Sequence, residues 1–476
     1  MSSGRARSSD TARAALFVLG VTLWRLVTLV FDQTELWVDE AQYWLWAQNL
    51  DWGYFSKPPL IAFWLCAVTE LAGSDDQFWI RVSGPVLHAA TAGLIGLVSA
   101  RLYGRKTGPW AAVLYATTPF VAVGSWQFST DTVMLPFFAL GLLAWTHLRV
   151  SKSLFWALVL GLAAGLGMLG KYAAIYLPLL LALAAVLVPS ARIAWRDAGA
   201  AGVTALAILS PNLIWNLRNG GTTFRHIAED NAKMDKVGID PAAALEFLGS
   251  QLAVFGPVLF LALFAALVTW PKRGPESRAL LTLSLPVILL LTVQAARAGA
   301  NANWAVTAYV AGTALAAAVL GPRLLKVSLA LGLVFTIALP LAYMNADWLK
   351  GPDGRLLARR YIGPEALTLA AADAARAEGL TTLVAERRGV IADMFHTLWR
   401  EPFEIYAPPP EGKPHTYYQQ IFPLPSDTPG DVLYVANEPP DCPEAREVGA
   451  HEADRGIYAG LRFGFWRVPA ACLASP

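Results

Sequence analysis

PPLIAFWLCAVTELAG, residues 58–73, decides how this chain is folded, because everything after it turns on whether the segment crosses a membrane. It is apolar, but it opens with two prolines and is short for a hydrocarbon layer roughly 30 Å thick. Around it lies a chain of 476 residues, 55% hydrophobic and only 15% charged, with a mean hydropathy of +0.45. Soluble domains carry about a quarter charged residues, so this composition places most of the sequence in lipid. About eleven apolar runs are long enough to span, near residues 15–31, 78–101, 108–125, 131–148, 153–170, 172–189, 197–215, 249–270, 279–296, 304–321 and 325–344. Basic residues fall into alternate connections: Arg101, Arg105 and Lys106; Arg149 and Lys152; Arg192 and Arg196; Lys272, Arg273 and Arg278; Arg323 and Lys326. Together with Arg5, Arg7 and Arg13 before the first run, they are cytoplasmic by the positive-inside rule. A crossing at 58–73 would flip every later loop. The segment is therefore expected to lie on the outer face as a surface or re-entrant helix, with the C-terminus outside.

The expected fold class is a polytopic α-helical membrane protein over residues 1–344, with an outer-face loop at 32–77, followed by a small mixed α/β domain over 345–476. That last part is rich in Pro, Gly and charge and holds strand-like TTLVAE (381–386), DVLYVAN (431–437) and FGFWRVP (463–469). The first apolar run resembles a signal anchor without a clear cleavage site and is expected to be retained. Cys66, Cys442 and Cys472 match no metal-binding spacing. Cys442 and Cys472 can pair if their segment lies in an oxidising compartment.

On this topology the unusual polar residues collect on the outer side. Asp39 and Glu40 follow the first run, Lys57 precedes the 58–73 helix, and Arg81 starts the second run. Asp131, Lys171 and Asn303 occupy outer ends and turns, and Tyr54 and His226 lie in outer loops. Charges at membrane depth are costly and imply function when they converge. Each also has a structural reading. Asp39 and Glu40 suit the first turn of a helix, Asp131 follows Ser129 and Thr130 where an N-cap belongs, and Lys57 and Lys171 can snorkel to headgroups. Arg81 suits a helix anchor, His226 a plain loop histidine, and Asn303 the interfacial belt around Trp304. Chemically, a carboxylate serves as base toward an acceptor hydroxyl, and lysine or arginine stabilises a departing phosphate. No P-loop or dinucleotide fingerprint is present, which disfavours a soluble nucleotide donor. No nucleic-acid partner is expected.

VDEAQYWLWAQNLDWGYFSKPPLIAFW (38–64), FWIRVSGPVLHAATAGLIGLVSARLYG (78–104), STDTVMLPFFALGLLAW (129–145), GLGMLGKY (165–172) and ANWAVTAY (302–309) resemble the bacterial relatives of protein O-mannosyltransferases and aminoarabinose transferases. These belong to the glycosyltransferase superfamily of C type, GT-C. The resemblance covers residues 15 to about 320; the C-terminal domain is only loosely similar. It implies an inverting transferase in the bacterial inner membrane, working on the periplasmic side. Such an enzyme passes a sugar from a polyprenyl-phosphate donor to a hydroxyl of a lipid A, glycan or protein acceptor. By that resemblance Asp39 acts as, or positions, the base for the acceptor hydroxyl, with Glu40 its partner. Lys57 and Lys171 match positions facing the carrier phosphate, and Asp131 an acidic residue at the cavity rim; Arg81 is further expected beside the phosphate, and Tyr54, His226 and Asn303 at the rim. Aminoarabinose transferases place an acidic metal ligand immediately before the KPP lysine. Ser56 stands there in this chain, which disfavours the divalent metal of those enzymes, and no cofactor is expected. A transporter or flippase of lipid-linked sugars is the alternative. Such proteins show repeats and midplane sites, whereas here the polar groups gather at one face.

Overall fold

Gly161 and Gly165 sit four residues apart in GLAAG, the small-xxx-small spacing that lets membrane helices approach closely. In the computed structural model, which describes residues 2–233 and 238–474, the Leu154–Gly170 helix lies against Trp195–Arg218 along that stripe. A methyl group added at Gly161 would collide with the Ala201 carbonyl, and one at Gly165 would come within 2.8 Å of Ile208. The two glycines exist for that contact.

The chain folds as two units. One comprises Met1–Val30, Lys57–Ile61 and Arg81–Pro340; the other comprises Phe31–Ser56, Ala62–Ile80 and Leu341–Pro476. The first is helical throughout. Among the described residues, seven of its helices are long and apolar enough to cross a membrane: Asp10–Val30, Gln77–Tyr103, Thr130–Leu148, Trp195–Arg218, Pro275–Ala298, Ala302–Val319 and Pro322–Tyr343. The other expected runs are also helical, in shorter or broken form. Leu154–Gly170 and Tyr172–Leu187 are shorter apolar helices. Thr107–Ala116 and Pro119–Gly124 are parted by two threonines. Buried Arg25 donates to the Ala116 carbonyl at that break, at 2.8 Å.

One expectation fails in detail. The run 249–270 is not one straight helix. Pro241–Val254 and Pro257–Val268 meet at 118°. Gly256, with φ +91°, takes a conformation that a side chain disfavours, and Pro257 cannot continue the preceding helix. The bend is braced by Phe255, whose ring stacks on Tyr309 at 4.0 Å, while the Tyr309 hydroxyl donates to Gln251. Hydropathy is blind to such a break. Part of the connection 216–248 is helical, over Thr222–Lys233.

The second unit is built on a five-stranded sheet: β1 (Thr382–Ala385), β2 (Glu404–Tyr406), β3 (Asp431–Ala436), β4 (Arg446–Glu452) and β5 (Arg462–Pro469), in the order β2-β1-β3-β5-β4. β1 pairs parallel with β2 and β3, and β5 pairs antiparallel with β3 and β4. Every residue of β1 is buried, as a central strand covered on both faces requires. Cys442 and Cys472 are joined in a disulfide, tying the β3–β4 connection to the end of the chain.

Most of the outer loop, Phe31–Ser56 and Ala62–Ile80, belongs to this unit. Glu35 accepts backbone N–H bonds from Gly363 at 2.7 Å and Glu365 at 2.9 Å. Those are orphan donors at the start of the Pro364–Ala377 helix, so a distant carboxylate acts as its cap. Burial still pushes the Glu35 carboxyl above its ordinary range. The Val38–Gln48 helix is buried from Glu40 to Ala47. Trp44 donates to Asp75 at 2.9 Å and meets the rings of His396 and Trp399 edge-on. The opening segment, Leu60–Ala72, is a helix of 13 residues. At about 1.5 Å per residue it reaches roughly 20 Å, too short to cross. Ile61 and Leu65 are buried, whereas Leu71 is 89% exposed.

Candidate active site

In the helical unit three expected residues come together. Ser129 is the N-cap of the Thr130–Leu148 helix, its side chain accepting from the Thr132 N–H. With that task taken, the Asp131 carboxylate in the first turn is left for another partner. Lys171 follows the last residue of Leu154–Gly170 and donates to both Asp131 oxygens, at 2.7 and 2.8 Å. Asn303, in the short 3-10 turn Ala302–Ala305, donates to Asp131 Oδ2 at 3.0 Å. The Lys171 and Asp131 side chains keep 18% and 13% of their exposure. An ammonium has three protons to donate, so Lys171 can hold an added anion while keeping its carboxylate.

A polar ladder that the sequence reading overlooked runs on from Tyr172. Its hydroxyl donates to Asn212 at 2.6 Å, and Asn216 donates back to it at 3.4 Å. Both asparagines are buried. The signal was present in PNLIWN (211–216), two amides at i, i+4 in an otherwise apolar helix.

Three further expected residues lie in or beside this unit. Arg81 is fully buried, its guanidinium 4.6 Å from the centre of the Trp126 ring. Lys57 is half-buried ahead of Leu60–Ala72, and His226 is half-buried on Thr222–Lys233.

In the sheet unit, Asp39 and Glu40 both lie in the first turn of Val38–Gln48 but behave differently. Glu40 is buried and accepts the Trp37 backbone N–H at 3.0 Å, helping to cap its own helix. Asp39 is 40% exposed and accepts from Arg388 Nη2 at 2.5 Å. Arg388 also donates from Nε to Gln42 at 2.9 Å. Tyr54 is buried, its ring stacked on Trp46 at 4.4 Å, its hydroxyl 3.1 Å from the Trp46 and Asn49 carbonyls. No three His, Cys, Asp or Glu side chains gather as a metal site among the described residues.

A long-range pairing of acidic and basic groups on helix ends, in a many-helix membrane chain with a small sheet unit, defines a class before it defines an activity. Residues 56–215 match the Dolichyl-phosphate-mannose-protein mannosyltransferase family. The chain is 42% identical over 466 residues to the lipid A galacturonosyltransferase RgtD of Rhizobium johnstonii, spanning 96% of this chain and 98% of that protein. It is 30% identical over 220 residues to the undecaprenyl phosphate-alpha-4-amino-4-deoxy-L-arabinose arabinosyl transferase of Pseudomonas aeruginosa, which is 42% of this chain and 38% of the relative. The crystal structure of ArnT from Cupriavidus metallidurans in the apo state superposes with a TM-score of 0.67 at 16% identity, covering 98% of this chain and 100% of that one. A second structure of that protein, bound to undecaprenyl phosphate, gives the same score. The fold is therefore the ArnT-like one, and the chain belongs to the GT-C family of glycosyltransferases.

Proposed function

We propose that this glycosyltransferase moves a galacturonosyl group from a polyprenyl-phosphate carrier to a hydroxyl of lipid A at the periplasmic face of the bacterial inner membrane. The observation that carries this reading is the 42% identity, along nearly the whole of both chains, with a protein named lipid A galacturonosyltransferase. The carrier follows from the relative that uses an undecaprenyl phosphate sugar. The Cys442–Cys472 disulfide supports an oxidising compartment for the C-terminal unit.

The step is a single in-line displacement with inversion. The acceptor oxygen forms a bond to the anomeric carbon and its proton passes to Asp39. The anomeric carbon–oxygen bond to phosphate breaks, and the electron pair leaves with the phosphate. Lys171, Lys57 and Arg81 serve as the cations for that phosphate, and Glu40 holds the turn that carries Asp39. Asp131 and Asn303, at 2.7–3.0 Å from their partners, keep the Lys171 ammonium and its surroundings in place. Tyr54 and His226 remain assigned to the cavity rim. Phosphate is a good leaving group and needs no strong general acid. The hydroxyl of Ser56 beside Lys57 is a poor substitute for a carboxylate ligand, and no step here uses a metal.

The test is transfer by the purified full-length protein from undecaprenyl phosphate galacturonic acid to lipid A, with the 4-amino-4-deoxy-arabinosyl donor as the second arm. Wild type should release undecaprenyl phosphate with the first donor. Asp39→Asn should lower kcat by on the order of 10²–10⁴-fold while leaving the protein folded. Normal turnover by Asp39→Asn sinks the base assignment; transfer of the arabinosyl group alone sinks the choice of sugar.

A further inference from the structure

Arg387 and Arg388 stand at the start of the Arg388–Thr397 helix, where a basic pair opposes the helix dipole. Each is accounted for by what it reaches. Arg387 lies 5.7 and 5.8 Å from the ring centres of Tyr458 and Phe463 and donates to Asn437 at 3.2 Å. Arg388 reaches the Val38–Gln48 helix instead, bonding Asp39 from Nη2 and Gln42 from Nε. Asp39 and Gln42 are three residues apart and share one helix face, so the planar fork is gripped at two points. Only Oδ1 of Asp39 is taken; Oδ2 accepts no hydrogen bond from a described residue, and the side chain is 40% exposed.

We propose that Arg388 is the positioning residue for Asp39, holding one carboxylate oxygen so that the other is presented to the acceptor hydroxyl. This rests on the reading of Asp39 as the base. A lysine offers a point charge on a flexible stem and lacks the fork that fixes a direction. The groups that sense Arg388 are few: Asp39 itself, the phenol of Tyr43 on the same helix and the phenol of Tyr418 on Tyr417–Ile421. Phenols do not titrate near neutral pH, and burial pushes that of Tyr418 further up. Glu40, the neighbouring carboxylate, is turned inward to the Trp37 N–H. Asp393, on the same helix as Arg388, also acts on the Tyr418 phenol and titrates near neutral pH, so the test reads kcat and KM at one fixed pH.

The experiment compares Arg388→Ala and Arg388→Lys, each alone and with Asp39→Asn, in the full-length protein with undecaprenyl phosphate galacturonic acid and lipid A. Arg388→Ala should lower kcat by about tenfold or more with acceptor KM nearly unchanged. Arg388→Lys keeps the charge but lacks the planar fork, so kcat should recover only in part. Added to Asp39→Asn, Arg388→Ala should change nothing further. Wild-type kcat in both variants, or a raised acceptor KM with kcat unchanged in Arg388→Ala, overturns the proposal. Should Arg388→Ala not fold, Arg388→Lys decides: reduced kcat at constant KM supports it and full kcat overturns it. An active Asp39→Asn defeats the base reading itself. An inactive Asp39→Asn beside indifferent Arg388 variants defeats only this inference.

Discussion

Asp393 is a carboxyl group kept where ionisation is disfavoured. It is buried in the Arg388–Thr397 helix and accepts from the hydroxyls of Thr368 at 2.5 Å and Thr397 at 3.2 Å. Burial pushes its pKa up to about 7, and Glu35 nearby adds to the rise. A raised folded-state pKa means that the protonated form is the stabilising one. Its contribution is fully present below about pH 4 and is lost as pH rises through about 7. Asp393→Asn keeps an acceptor for both threonines and cannot ionise. Equilibrium unfolding of the variant should match wild type near pH 4 and exceed it by a few kcal/mol at pH 8; equal stability at pH 8 would show that Asp393 ionises freely. At this scale the sequence was partly legible. Asp131, Lys171 and Asn303 announced themselves as polar groups in apolar surroundings, and they do meet. Arg388 gave no such signal, because a basic residue in a charged, sheet-forming segment is ordinary until its partner, 349 residues away, is known.

Among the elements, β1, β3 and β5 could be read because they are the inner strands, continuous in apolar and β-branched residues. β2 and β4 are the edges; β2 is three residues long and β4 is mostly exposed, so neither carries a hydrophobic run. The bend at Gly256 escaped for a related reason: an average over apolar residues sees Pro241–Val254 and Pro257–Val268 as one stretch, although the Gly-Pro dipeptide marks the break. The disulfide belongs to this scale as well. It closes a loop with a sequence separation of 30 around β4 and β5. On the chain-entropy account, Cys442→Ala with Cys472→Ala should destabilise the sheet unit by about 3–4 kcal/mol. Urea titration followed by tryptophan emission would measure it, and an unchanged midpoint would assign the bond no stabilising role.

For the whole molecule, the alternation of basic loops predicts an orientation that labelling can check. In a Cys66→Ser background, a cysteine at Asp353 should react with a membrane-impermeant maleimide added to cells with a permeabilised outer membrane. A cysteine at Lys106 should react only after lysis. The reverse pattern would invert the topology. The number of spans was the least legible property, because helix length decides crossing and apolar composition does not. Tyr172–Leu187 and Leu154–Gly170 are as apolar as their neighbours but shorter.

The partnership of Val38–Gln48 with the far end of the chain also sets a timetable. At about 5–20 residues per second, synthesis separates Asp39 from Arg388 by roughly 20–70 s. Throughout that interval Trp44 lacks His396 and Trp399, and Trp46 lacks Tyr417, the rings that cover them in the finished protein. An unfinished or truncated polypeptide thus displays an uncovered aromatic helix, the kind of surface that chaperones hold and proteases remove. Completion of the last hundred residues is what withdraws it.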